Sequence, residues 1–161
     1  MKNLQSFKNL LSVQSVSYND VLMYDYIVQE LKNINCDYYD FNGCIYVTKG
    51  KAKNYNCIVS HIDTVHDITE NLTVIQLNGN LTGMNAETMK QTGIGGDDKC
   101  GIFIALEMLK KYDNLKSVFF RDEETGCEGS EEAELGPERA GDDGPSRRPE
   151  DDGREARLDA E

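Results

Sequence analysis

No apolar run in this sequence approaches the length of a membrane span, and Met1 to Val16 lacks the continuous apolar centre of a signal peptide. Positive charge is scarce: 17 Lys and Arg stand against 29 Asp and Glu, for a net charge of −12. That balance argues against a nucleic-acid phosphate backbone or an anionic membrane as partner, and it suits cation binding. The five cysteines (36, 44, 57, 100 and 127) are odd in number and form no C-x-x-C pair. They read as reduced thiols, mostly in or near the core, of a cytoplasmic protein. Other scarcities are regional. Residues 1–130 hold no proline and a single arginine, Arg121, whereas residues 131–161 hold all three prolines and five arginines. The later stretch has no Lys, Ile, Val, Phe, Tyr, Met, Cys, Asn or Thr. Five Arg against twelve Asp and Glu put it at −7, leaving −5 for the first 130 residues.

With Leu135 and Leu158 as its only large aliphatics, the stretch 131–161 cannot bury enough surface to offset chain entropy. An acidic, disordered tail is expected there. The abruptness of the change suggests a shift of reading frame near Ser130 that cuts a globular fold. Residues 1–130 suffice for one domain with a core of its own.

Along that domain, Leu4, Phe7, Leu10 and Leu11 fall at helical spacing within 2–13. A second helix is expected after Ser17 and Asn19, which offer caps; its stripe is Val21, Tyr24, Ile27, Val28 and Leu31, and it ends around 33–35. Residues 37–41 and 44–48, joined by Asn42-Gly43, read as a hairpin. Residues 56–60 form a short apolar strand delivering His61. Leu72–Leu77 and Asn80–Met84 form a second hairpin over Asn78-Gly79. A helix over 98–111 and a buried strand over 115–120 follow. Helices alternating with strands predict an α/β domain, a mixed β-sheet flanked by helices.

Three polar clusters sit where apolar elements begin or end. The first is Ser60-His-Ile-Asp-Thr-Val65, the second Thr92-Gly-Ile-Gly-Gly-Asp-Asp-Lys-Cys-Gly101, the third Asp122-Glu-Glu-Thr-Gly126. In open α/β sheets the strand carboxyl ends are where sites are built. His61 and Asp63, two apart in an extended segment, point the same way, so the carboxylate can take one imidazole N–H and leave the other nitrogen for a metal. Asp97 has two oxygens that can bridge two cations. Of two neighbouring glutamates, Glu123 and Glu124, one can bind a cation while the other takes a proton from water. Each cluster alone has a plainer reading: a strand-end histidine with a turn former, first-turn acidic residues of a helix, a solvated acidic turn. Oxygen ligands with one imidazole suit Zn²⁺, and Mn²⁺ or Co²⁺ are chemically acceptable.

Taken together and in this order, Ser-His-Ile-Asp-Thr-Val, Gly-Gly-Asp-Asp-Lys-Cys-Gly and Asp-Glu-Glu-Thr-Gly resemble the N-terminal signatures of a zinc-dependent exopeptidase family. It includes tripeptide aminopeptidase (peptidase T), carboxypeptidase G, aminoacylase and succinyl-diaminopimelate desuccinylase, and the resemblance covers about residues 1–130. It implies the N-terminal half of a catalytic domain with two zinc ions per complete site. By position, His61 is a ligand oriented by Asp63, Asp97 bridges the two ions, Glu123 is the general base and Glu124 is a ligand. Asp98 is implied to be a cap and Lys99 a helix-face charge. The family pattern has two further ligands, a downstream carboxylate and a late histidine; the only other histidine here is His66, five residues after His61, so the late histidine is absent, and Glu150, Asp151 and Asp152 lie far enough downstream to imitate the carboxylate. The substrate implied is a small peptide or an N-acyl amino acid, with a homodimer in the full-length family. Two functions stand as expectations. One is a metal-dependent hydrolase cleaving a peptide or amide bond; the other is an inactive or truncated member that at most binds a metal or peptide.

Overall fold

In the computed structural model, residues 2–133 are described. The chain runs α1 (Lys2–Ser12), α2 (Val21–Asn33), β1 (Tyr38–Phe41), β2 (Cys44–Lys49), β3 (Cys57–His61), β4 (Leu72–Leu77), β5 (Asn80–Asn85), β6 (Gln91–Thr92), α3 (Gly96–Lys111), β7 (Leu115–Phe120) and α4 (Glu128–Ala133). Of the expected tail, residues 131–133 close α4, and 134–161 lie outside the described residues. Among the described residues no helix is long and apolar enough to cross a membrane.

The main sheet has the order β1-β2-β7-β3. β1, β2 and β7 pair antiparallel, while β3 pairs parallel with β7, so the sheet is mixed as expected. Asn42 and Gly43 both carry positive φ, +51° and +79°, the backbone a two-residue hairpin turn asks for. Asn78 and Gly79 repeat this (+49° and +84°) between β4 and β5 in a separate sheet of order β4-β5-β6. The two-residue β6, formed by Gln91 and Thr92 against β5, falls in a stretch that reads as a polar loop in sequence.

Residues directly opposite in a ladder share a face. Ile45 faces Phe119 and Val47 faces Ser117, all four buried. Leu10, Met23, Ile27, Leu31, Ile102, Ala105 and Leu109 from the three long helices close over them at 0% exposure. Each large aliphatic or aromatic side chain so buried contributes about 1.5–3 kcal/mol. On the opposite face Tyr39 stacks on Tyr46 at 4.9 Å between ring centroids, and Phe120 meets Tyr46 edge-on at 6.2 Å.

Three local expectations need correction. In α2 the buried row is Met23, Ile27, Val28 and Leu31, while Val21 is 56% exposed, because position 21 lies off the 23-27-31 row that meets the sheet. The α2 N-cap is Asp20, with no side-chain cap bond; the Ser17 hydroxyl is used elsewhere. Of the cysteines, Cys36 and Cys44 are buried but Cys57, Cys100 and Cys127 are exposed; none of the five is in a disulfide.

Candidate metal centre

Because β3 and β7 are parallel, their carboxyl ends leave the sheet along one edge, His61 lying opposite Phe120. The segments that follow, Ile62–Thr64 and Asp122–Glu124, are therefore neighbours. The Ile62 N–H donates to the Phe120 carbonyl at 2.8 Å. α3 packs on β3 and begins at the same edge, which brings Asp97 to the other two clusters.

Glycine sets that entry. Gly95, the α3 N-cap, has φ +62°, and a Cβ there would collide with Thr64 Cγ2. The next two residues are not yet helical: Asp97 has φ −90° and ψ 109°, Asp98 φ −118° and ψ 35°, and the peptide bond between them is cis. Asp97 projects outward with its side chain 88% exposed, whereas Asp98 turns back to accept the Gly101 N–H at 2.9 Å. That bond caps the regular part of α3, which begins after the non-helical Asp97 and Asp98. Lys99 is not the helix-face charge expected: it is 2% exposed, and its ammonium donates to the Leu11 carbonyl at 3.3 Å, in the last turn of α1. A cation there meets the negative end of that helix, while burial pushes the ammonium down to about 8.

His61 lies between carboxylates. Its Nδ1 is 3.0 Å from the Asp63 carbonyl and 3.3 Å from Asp63 Oδ1; its Nε2 is 3.1 Å from Asp97 Oδ1 and 3.8 Å from Glu123 Oε2. Burial disfavours the imidazolium, but hydrogen bonds to Asp63 and Asp97 and the charges of Asp63 and Glu123 outweigh it, raising the pKa from 6.5 to about 9. Asp63 is 0% exposed. Burial disfavours its charge too, yet hydrogen bonds from His61, Ser17 and the amides of Glu123 and Glu124 hold its pKa at about 2.

All five residues singled out in the sequence meet at this edge. His61, Asp97 and Glu124 each offer a ligand atom within 4.8 Å of the others, a group that could hold a metal ion. Glu123 stands beside them with its side chain 43% exposed, and Asp63 lies beneath. The three donors fit a divalent cation: one imidazole nitrogen and two carboxylates, as in open catalytic zinc sites that keep a position for water or substrate. His66 does not join them; it is exposed and packs against Gly93. Glu150, Asp151 and Asp152 lie outside the described residues. Three partners had no signal in sequence spacing. Ser17 donates to Asp63 Oδ2 at 2.7 Å, the Tyr18 N–H donates to Asp122 Oδ1 at 2.9 Å, and the Cys127 thiol lies 3.6 Å from Glu123 Oε1.

No family profile and no curated protein matches the sequence. Solved structures do match. A tripeptidase from Staphylococcus aureus superposes with a TM-score of 0.67 at 21% identity, over 84% of this chain and 40% of its own. An aminopeptidase from Bacillus cereus gives 0.62 at 18% identity, over 80% and 38%. An aminoacylhistidine dipeptidase from Vibrio alginolyticus gives 0.62 at 20%, over 80% and 29%. At these identities the likeness is one of fold, and the chain spans well under half the length of each. The chain therefore carries, over part of its extent, the α/β fold of the peptidases that its three motifs resemble.

Proposed function

We propose that the chain is the N-terminal catalytic part of a metal-dependent peptidase related to tripeptide aminopeptidases. The observation that carries this reading is the meeting of His61, Asp97 and Glu124 within 4.8 Å, at the edge where β3, α3 and β7 place their motifs. His61, Asp97 and Glu124 would hold the cation, Zn²⁺ first, with Mn²⁺ or Co²⁺ acceptable to the same donors. A second ion in the complete site would share Asp97. When bound, the metal supplies Lewis acidity towards an amide carbonyl and towards water.

The residues of the chain supply the rest. Asp63 holds the Nδ1 side of His61, which fixes the ring and presents Nε2. Glu123 is close enough to the site to take a proton from the attacking water and return it to the leaving amine. The substrate class is a small peptide, in keeping with the tripeptidase and dipeptidase among the structural neighbours, or an N-acyl amino acid. Cysteines outside any disulfide suit a reducing compartment such as the cytoplasm.

A second reading is favoured by the donor count: three ligand residues for a site of two ions, among the described residues. In it the chain binds a cation or peptide without turnover. Tripeptide hydrolysis by the zinc-loaded chain separates the two. Zinc-dependent release of the N-terminal residue that falls about 10²–10⁴-fold in Glu123→Gln supports the hydrolase. Zinc uptake with no release in either protein supports the second reading.

A further inference from the structure

Between α1 and α2 the chain passes through residues 13–20, and this connector is fastened to the site at several points. The Ser15 carbonyl accepts the Thr64 N–H at 2.7 Å and the Thr64 hydroxyl at 3.3 Å, and Val16 bridges Thr64 in parallel. Tyr18 donates its N–H to Asp122 and its hydroxyl to Glu128 Oε1 at 3.0 Å. Ser17 is held between these attachments, its hydroxyl 2.7 Å from Asp63 Oδ2.

A carboxylate has about four acceptor positions, two on each oxygen. Around Asp63 four donors face them, one of which, the His61 Nδ1, also meets the Asp63 carbonyl at 3.0 Å. Oδ1 faces the Glu123 N–H at 3.0 Å and His61 Nδ1 at 3.3 Å; Oδ2 faces the Glu124 N–H at 3.2 Å and the Ser17 hydroxyl. One fully buried side chain thus fixes a proposed ligand, His61, together with the backbone of the proposed base, Glu123, and of a second ligand, Glu124. Three of the four donors belong to the motif segments themselves. The fourth comes from a connector that no motif marks.

We propose that Ser17 is a positioning residue of the metal centre: its hydroxyl fills an acceptor position of Asp63 and so locks the carboxylate plane that orients His61 and the Glu123–Glu124 backbone. This role presupposes the metal reading of His61, Asp97 and Glu124. Without the hydroxyl, Oδ2 keeps one partner in a site closed to solvent. The carboxylate is then free to turn towards its remaining donors, and the amides of Glu123 and Glu124 lose their fixed acceptor. Partners that orient ligands from behind typically account for about 10–100-fold in metal affinity.

The test compares the full chain with Ser17→Ala, Ser17→Thr and His61→Ala by zinc titration, together with hydrogen exchange at the Glu123 and Glu124 amides. The expected result is about tenfold weaker zinc binding in Ser17→Ala, faster exchange at both amides, and recovery of both in Ser17→Thr, which keeps the hydroxyl. A residue serving stability alone would lower the unfolding midpoint and leave the affinity of the folded chain unchanged. Unchanged affinity in Ser17→Ala, with binding still abolished in His61→Ala, overturns the Ser17 assignment and leaves the metal centre intact. Should the unmodified chain take up no zinc, the metal reading fails and this positioning role fails with it; the amide exchange then shows whether Ser17 still braces Asp63.

Discussion

His61 Nε2, the nitrogen left open by Asp63, lies 3.1 Å from Asp97 Oδ1. Nε2 is also the nitrogen that a cation would take. With the imidazole pKa raised to about 9, His61 is largely protonated at neutral pH. Zinc must expel that proton, so its affinity is expected to rise with pH until about 9 and to flatten above. Calorimetric titration in buffers of different ionisation enthalpy checks this: near pH 7 the chain should release about one proton from His61 per zinc bound.

His61 and Asp63 shape stability without metal. A histidine whose pKa is raised on folding, from 6.5 to about 9, contributes fully below about 6.5, and this contribution is lost as pH rises through about 9. Asp63 behaves oppositely: lowered from 3.8 to about 2, it contributes fully above about 3.8 and loses that contribution as pH falls through about 2. Urea unfolding of the metal-free chain across pH should therefore show an alkaline decline between about 6.5 and 9 that His61→Gln removes.

Asp63 is at 0% exposure, and its removal leaves the donors of His61, Ser17, Glu123 and Glu124 without their acceptor. Asp63→Ala is expected to cost about 3–5 kcal/mol, the range for breaking a buried charged pair from one side. A loss under about 1 kcal/mol would mean that water replaces the carboxylate there, in conflict with the closed packing.

Gly95 carries a second cost, of backbone rather than charge. At φ +62°, any L side chain is strained by about 1–2 kcal/mol. An added Cβ also meets Thr64, which itself bonds Ser15, so Gly95→Ala should exceed that range and loosen Asp97 as well. Denaturant unfolding measures the first effect and zinc affinity the second.

Most of this architecture is written locally in the chain. Asn-Gly pairs mark both hairpins, and the apolar periods mark α1, α2 and β7. The rule that sites gather at the carboxyl ends of strands marks His61 and Glu123–Glu124 from the sequence alone. What the sequence conceals depends on distant contacts. Lys99 looks like a surface charge until the end of α1 is packed against it, and Ser17 looks like a helix cap until the connector is folded against Asp63. β6 has two residues and no apolar alternation, so only pairing with β5 defines it. The exposed cysteines 57, 100 and 127 show the same limit, since burial of a lone thiol follows from its neighbours and not from its type.

If His61, Asp97 and Glu124 form one cation site, zinc content after equilibrium dialysis will depend on all three. The unmodified chain should retain at least one zinc per molecule, and Asp97→Asn, Glu124→Gln and His61→Ala should each lose it while remaining folded. No zinc in the unmodified chain, or equal zinc in all four proteins, would mean that these three residues do not form a cation site.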